Sequence, residues 1–217
     1  MIDTVTAFSP TAVLEPYIAA RLRPLDAYDP AEAAPGSDFD LNPQSRVIIG
    51  RILAPAAVLV GLVEREAGLS VLLTRRADAL RKHSGQVAFP GGRMDPGETP
   101  AETALRESWE EVGLDPGFVR LIGLGDVYET GTGFSITPVV GFIRPGFSLQ
   151  AHDAEVAEIF ETPFAFFMDA ANHQLRSMTA ADGVERRFYA MEHEGRTIWG
   201  ATAGMVRGLY ERIFAAC

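Results

Sequence analysis

Apolar positions come in short runs separated by turn residues, and the spacing changes along the chain. The run "PAAVLVGLVE" (55–64), the turn at Ala67-Gly68 and "LSVLLTRR" (69–76) predict a β-hairpin whose first strand is largely buried. Further short strands are expected at "QVAF", "VRLIGLGDVY" and "ITPVVGFI". Between them the period becomes helical. Thr99 suits an N-cap, Pro100 the first helical position, Glu102 a Thr-x-x-Glu capping box and Gly113 the left-handed end. "EVAEIFETPF" reads as a strand entering a helix near Pro163, "ERRFYAMEHEGRTIWG" as a hairpin turning near Glu194-Gly195, and Ala201 to Phe214 as a closing helix. Strands and helices do not alternate regularly, so the expected class is α+β. Prolines 10, 16, 24, 30, 35 and 43 interrupt the first 45 residues, where only Thr11 to Leu22 suits a helix. The expected division is an N-terminal arm over 1–45, packed on one main domain over 46–217.

A chain of 217 residues with 47% apolar positions can bury a sizeable core. Its best apolar run, Val58 to Val63, is far too short to cross a bilayer and contains Gly61. The N-terminus lacks the basic region and long apolar core of a secretory signal, so a cytoplasmic location and no membrane partner are expected. The single cysteine, Cys217, excludes an intrachain disulfide and a multi-cysteine zinc site. His152, His173 and His193 are scattered without metal-ligand spacing. A formal charge of −10 disfavours nucleic acid as partner and leaves room for a local basic pocket holding one small anion. Oligomeric state is open, a homodimer included.

The helix carries the chemistry. Glu107, Glu110 and Glu111 fall within an arc of roughly 100° at 3.6 residues per turn. Ala101, Leu105 and Val112 lie on another side and are expected to pack on the sheet. A solvated acidic face is the ordinary explanation of such a run. It loses weight here because Arg106 and Glu98 accompany the acids and the glycine-rich "FPGGRMDPGE" precedes them. Hard divalent cations such as Mg²⁺ take a few carboxylates together with phosphate and water, so a cation accounts for the clustered charge.

Gly92, five residues, Glu98, seven residues and "RESWEEVGL" resemble the Nudix box, G-x5-E-x7-R-E-U-x-E-E-x-G-U with U a bulky apolar residue. Arg106, Glu107, Glu110, Glu111, Gly113 and Leu114 match. Ser108 departs at the first U position, where it is expected at the edge of the apolar face. A second stretch, "LLTRRADALRKHSGQVAFPGG" (72–92), is similar to the signature beside the box in coenzyme A pyrophosphatases, including Arg76, Arg81, Gly85, Phe89, Pro90, Gly91 and Gly92. "GFSITPVVGFI" and "IWGATA" also look like that group.

The resemblance implies a Nudix fold, a mixed β-sheet sandwiched between α-helices. It implies metal-dependent hydrolysis of the diphosphate of coenzyme A or acyl-coenzyme A to 3′,5′-ADP and 4′-phosphopantetheine or its acyl derivative. Glu107 and Glu111 are the expected Mg²⁺ or Mn²⁺ ligands, with Glu110 and the Gly91 carbonyl as additions. The catalytic group is Glu110, Glu155 and Arg106, the last through pairing with Glu98 or a neighbouring carboxylate. Gly92, Glu98 and Gly113 are structural positions of the box. For the general base, "HDAEVAEIF" offers Glu155 and Glu158; Glu155 is favoured, against its reading as an exposed acid at a strand entrance. Arg76 and Arg81 are assigned to substrate, since guanidinium groups suit bidentate phosphate recognition, whereas Lys82 and His83 read as a solvated loop. Trp199 admits adenine stacking or simple packing at a strand end. Another nucleoside diphosphate substrate such as ADP-ribose or NADH, and a silent nucleotide-binding module, are the competing readings. The intact box glutamates argue against the second.

Overall fold

The computed structural model describes residues 11–46, 52–78, 85–179 and 183–215; Arg81, Lys82, His83 and Cys217 lie outside the described residues. The chain opens with helix α1 (Thr11–Ala19) and a short strand β1 (Gly36–Ser37). The predicted hairpin is present as β2 (Ala54–Arg65) and β3 (Gly68–Arg76), followed by β4 (Val87–Ala88) and β5 (Gly91–Arg93). Helix α2 (Pro100–Val112) leads to β6 (Val119–Leu124), β7 (Tyr128–Glu129) and β8 (Phe134–Ile143). Strand β9 (Val156–Pro163) runs into the short α3 (Phe164–Phe167). Strands β10 (Gln174–Thr179), β11 (Glu185–His193) and β12 (Arg196–Trp199) precede α4 (Ala201–Tyr210), which a π-helical turn extends over Glu211–Ala215.

Strand β2 is buried from Ala56 through Val63 because both of its faces are covered, which explains the unbroken apolar run. Val58, Val60 and Leu62 pack with Met205, Val206 and Leu209 of α4 on one face; Ala57, Leu59 and Val63 pack with Ala104 and Val112 of α2 on the other. The sheet is mixed: β2 pairs parallel with β8 and antiparallel with β3 and β5. It therefore lies between helices, as expected. Its main path runs β1-β7-β8-β2-β3-β4, while β10-β11-β12 form a separate small sheet. One row of paired residues crosses from Arg93 through Ala56, Ile136 and Tyr128 to Gly36. Four inter-strand steps make that row about 19 Å long.

Local punctuation behaves as the sequence predicts. Thr99 and Glu102 form the reciprocal capping box, and Gly113 closes α2 at φ 67°. The β11–β12 turn places Glu194 and Gly195 at φ 48° and 75°, the pair of positive angles that a two-residue hairpin turn requires. We expect Thr99→Ala to lower stability by about 1 kcal/mol, read as a lower denaturation midpoint with unchanged slope.

Four expectations are corrected. The first helix ends at Ala19 rather than Leu22, through turns closed by Arg21 N–H to Ile18 O and Leu22 N–H to Ala19 O. Ala101 and Leu105 are only half-buried; Thr103, Ala104, Ser108 and Val112 make the packed face of α2, small side chains that let the helix approach β2 closely. Ser108 is 1% exposed rather than marginal, and its hydroxyl donates to Ala104 O at 2.6 Å, which removes the penalty of burying it. Gly91–Arg93, in the glycine-rich stretch, forms a strand that the expected set of strands does not include.

Candidate active site

The acidic helix meets the glycine-rich strand at close range. A Cβ on Gly91 would stand 2.4 Å from Ala57 O, and a Cβ on Gly92 would stand 2.5 Å from the Glu107 carboxylate. Glycine at 91 thus lets β5 pair with β2, and glycine at 92 leaves the Glu107 carboxylate its place. The Gly91 N–H donates to Glu111 Oε2 at 3.2 Å. Only 6% of Glu111 is exposed, so its carboxylate sits in a poorly solvated pocket between α2 and β5.

Burial sets the electrostatics. It pushes the Glu111 carboxyl up to about 7; the Gly91 N–H and Arg76 oppose the rise, while the charges of Glu107 and Glu155 add to it. Glu107 is raised for the same first reason, with Arg106 opposing and Glu110 and Glu155 adding. Three carboxylates, Glu107, Glu111 and Glu155, therefore act on one another. Glu155 arrives from a distant part of the sequence because the loop before β9 is tied to the end of α2. Gln150 N–H donates to Val112 O at 2.8 Å and His152 N–H to Glu111 O at 2.9 Å, satisfying two terminal helix carbonyls. Glu155 O then accepts from Ala77 N–H at 2.8 Å.

Arg106 makes the pairing expected of it. Its Nε and Nη2 reach Glu98 Oε1 and Oε2 at 2.7 and 3.0 Å, and Nη1 reaches Glu107 at 2.8 Å and Glu110 at 3.1 Å. Nη2 also donates to Arg93 O at 3.1 Å, joining the helix to β5. Glu98 accepts from Thr103 Oγ1 and Asp95 N–H as well, and these bonds, Arg106 first, hold its carboxyl down at about 2. Glu110 points outward, its side chain 55% exposed on the rim.

The two acids before β9 separate clearly. Glu158 lies between Arg196 at 2.5 Å and Arg75 at 3.7 Å, and the bond from Arg196 lowers its pKa. A carboxylate so neutralised is a poor proton acceptor. Glu155 is exposed and faces the acid cluster instead. Arg76 stands with Nη1 4.0 Å from Glu111 Oε1, beside a bulge between Arg75 and Arg76, and its buried Nε has no hydrogen-bond partner among the described residues. The sequence offered no signal for the loop–helix bonds that bring Glu155 in, because they join residues about 40 apart.

The donor set suits a hard divalent cation: oxygen ligands only, with Arg76 as the near positive charge on the buried Glu111. Among the described residues, no three His, Cys, Asp or Glu side chains are drawn together into a ready coordination shell. Glu107 is instead held by Arg106 at 2.8 Å.

The NUDIX domain family model matches residues 53–182. Over 159 residues the chain is 38% identical to the uncharacterized Nudix hydrolase NudL of Yersinia enterocolitica, spanning 73% of this chain and 80% of that protein. NudL of Yersinia pestis is 37% identical over 159 residues, 73% of this chain and 79% of that one. Among solved structures, a C. elegans Ap4A hydrolase binary complex aligns at a TM-score of 0.45 and 19% identity, over 51% of this chain and 80% of that chain. The NUDIX domain of Shewanella oneidensis NrtR complexed with ADP ribose aligns at 0.41 and 20% identity, over 55% and 79%.

Proposed function

The chain belongs to the Nudix hydrolase family, and within it we propose that it hydrolyses the diphosphate of coenzyme A or acyl-coenzyme A, releasing 3′,5′-ADP and 4′-phosphopantetheine or its acyl derivative. The observation that carries this reading is Arg76. It belongs to the stretch similar to the coenzyme A pyrophosphatase signature, and it presents an unpartnered buried Nε next to the acid cluster. The side chain as a whole remains 31% exposed, so its guanidinium can still meet a phosphate oxygen. Arg81 is proposed to act with it.

Glu107 and Glu111 would hold Mg²⁺ or Mn²⁺, with Glu110 and the Gly91 carbonyl as further oxygen donors. Such an ion would supply neutralisation of the diphosphate charge and a lowered pKa for a water bound to it. Glu155 accepts the proton of the attacking water, a role open to it because no arginine among the described residues claims its carboxylate as Arg196 claims that of Glu158. The water oxygen bonds to phosphorus as the bridging oxygen departs with its electron pair, so no covalent enzyme intermediate is required. Arg106 is a positioning residue: it keeps Glu107 in place against Gly92.

The test is product identification by chromatography after incubation with coenzyme A and Mg²⁺ or Mn²⁺, beside ADP-ribose and NADH, each with an EDTA control. Metal-dependent 3′,5′-ADP and phosphopantetheine are the expected products. Cleavage of ADP-ribose or NADH alone would retain the chemistry and overturn the substrate.

A further inference from the structure

A cavity of about 700 Å³ lies against the opposite face of the sheet from the acidic helix. Its walls are the arm around Gly36 to Asn42, strands β11 and β12, and the face of α4 that carries Gly204 and Gly208. The volume falls within the range of small-molecule sites, about 300–1,000 Å³. The arm is fastened there by Asn42, which is 5% exposed. Its side-chain amide accepts from Arg187 N–H at 2.7 Å and donates to Arg187 O at 2.8 Å, imitating the strand neighbour that β11 lacks beyond the end of β12.

We propose that this cavity binds the base of a nucleotide, stacked on Trp199, with phosphate held at Arg187. Trp199 and Phe188 are half-buried in the wall, their rings 5.4 Å apart at 57°, so each can offer apolar area to a flat ring. The four wall carboxylates each accept a hydrogen bond: Asp38 from the Tyr128 hydroxyl at 2.9 Å and Gly131 N–H at 2.7 Å, Asp40 from Ser37 N–H at 2.8 Å, Glu211 from Arg207 at 2.7 Å and Asp126 from Arg212 at 3.0 Å. The Arg187 guanidinium is exposed at the wall, and no carboxylate among the described residues pairs with it. Glycine supplies the room. A Cβ on Gly204 would strike the Tyr128 hydroxyl at 2.3 Å, whereas a Cβ on Gly208 would meet nothing within 4 Å. Gly208 sits inside α4, where glycine is unfavourable to the helix; here it leaves open the space that a ligand would occupy.

This inference goes beyond the hydrolytic reading and is tested without it, in EDTA. Trp109 and Trp199 are the two tryptophans, and Trp109 is 55% exposed on α2, so Trp109→Phe leaves a fluorophore that reports on the cavity alone. Titration of the full chain with adenosine 3′,5′-bisphosphate is expected to quench Trp199 saturably. Gly208→Leu, which fills the cavity while favouring the helix, should abolish the quench, and Arg187→Ala should weaken binding about tenfold. Glu111→Gln should leave it unchanged. A raised KM for coenzyme A in the Gly208→Leu enzyme would identify the base as that of the substrate; lost nucleotide binding at unaltered KM would identify a separate nucleotide. Absence of saturable quenching, or quenching indifferent to both Gly208→Leu and Arg187→Ala, would overturn the proposal.

Discussion

Glu111→Gln is expected to reduce turnover by on the order of 10³-fold while the metal-free protein becomes more stable above neutrality. Both effects come from one buried carboxylate. In the folded chain its pKa is about 7 against an ordinary value of 4.5, so between these pH values the native state holds a proton that the unfolded chain has released. Stability of the chelated wild type therefore falls as pH rises through that window, by up to about 3 kcal/mol, and is unaffected by this group below it. Glutamine cannot ionise, so the variant lacks the fall. Denaturant melts in EDTA at pH 4, 6 and 8 would measure it. Adding Mg²⁺ should restore the wild type at pH 8 and do much less for the variant. An unchanged turnover number would remove Glu111 from the metal site; identical pH profiles would mean that its charge is already compensated.

Arg106→Ala is expected to lose about 2 kcal/mol, a fall of roughly 4–8 °C in Tm, together with about 10²-fold in kcat. The side chain is 27% exposed, so this lies below the loss from breaking a fully buried pair. Removing the guanidinium takes the main counter-charge from Glu98 and Glu107 and the tie from α2 to Arg93 O. Lysine should not rescue it, since a single ammonium cannot reproduce the two-point contact with Glu98. The depressed Glu98 pKa gives an independent reading. Its contribution is complete above about pH 4.5 and is lost as pH falls toward about 2, so the acid limb of the stability curve should flatten in the variant. A double-mutant cycle with Glu98→Gln that returned no coupling would show that the contact contributes nothing to stability.

What the sequence determined by itself was local or periodic. The capping box and terminal glycine of α2 could be placed to the residue, because each motif is completed by partners within a few positions. The β2–β3 hairpin was legible from its apolar runs and intervening turn, and the β11–β12 turn from Glu194-Gly195. The spacing of the box put Glu107 and Glu111 near one another through helical geometry alone. Strand β10 was missed, and for a clear reason: nearly all of it is exposed, so no apolar alternation marks it.

Only the tertiary structure decided which carboxylates work together. Glu155 and Glu158 look alike in "HDAEVAEIF", yet Arg196 and Arg75 close on one, while hydrogen bonds from Gln150 and His152 to the end of α2 draw the other toward Glu111. It also decided that Glu111 is the buried acid and Glu110 the exposed one, because small residues at 104 and 108 seat α2 against β2. The arm became the wall of a cavity through Asn42 and Arg187, which are 145 residues apart. Periodicity assigns a residue to a face of its own element; which charge that face meets depends on elements brought in from elsewhere in the chain, and that contact determines pKa and chemistry.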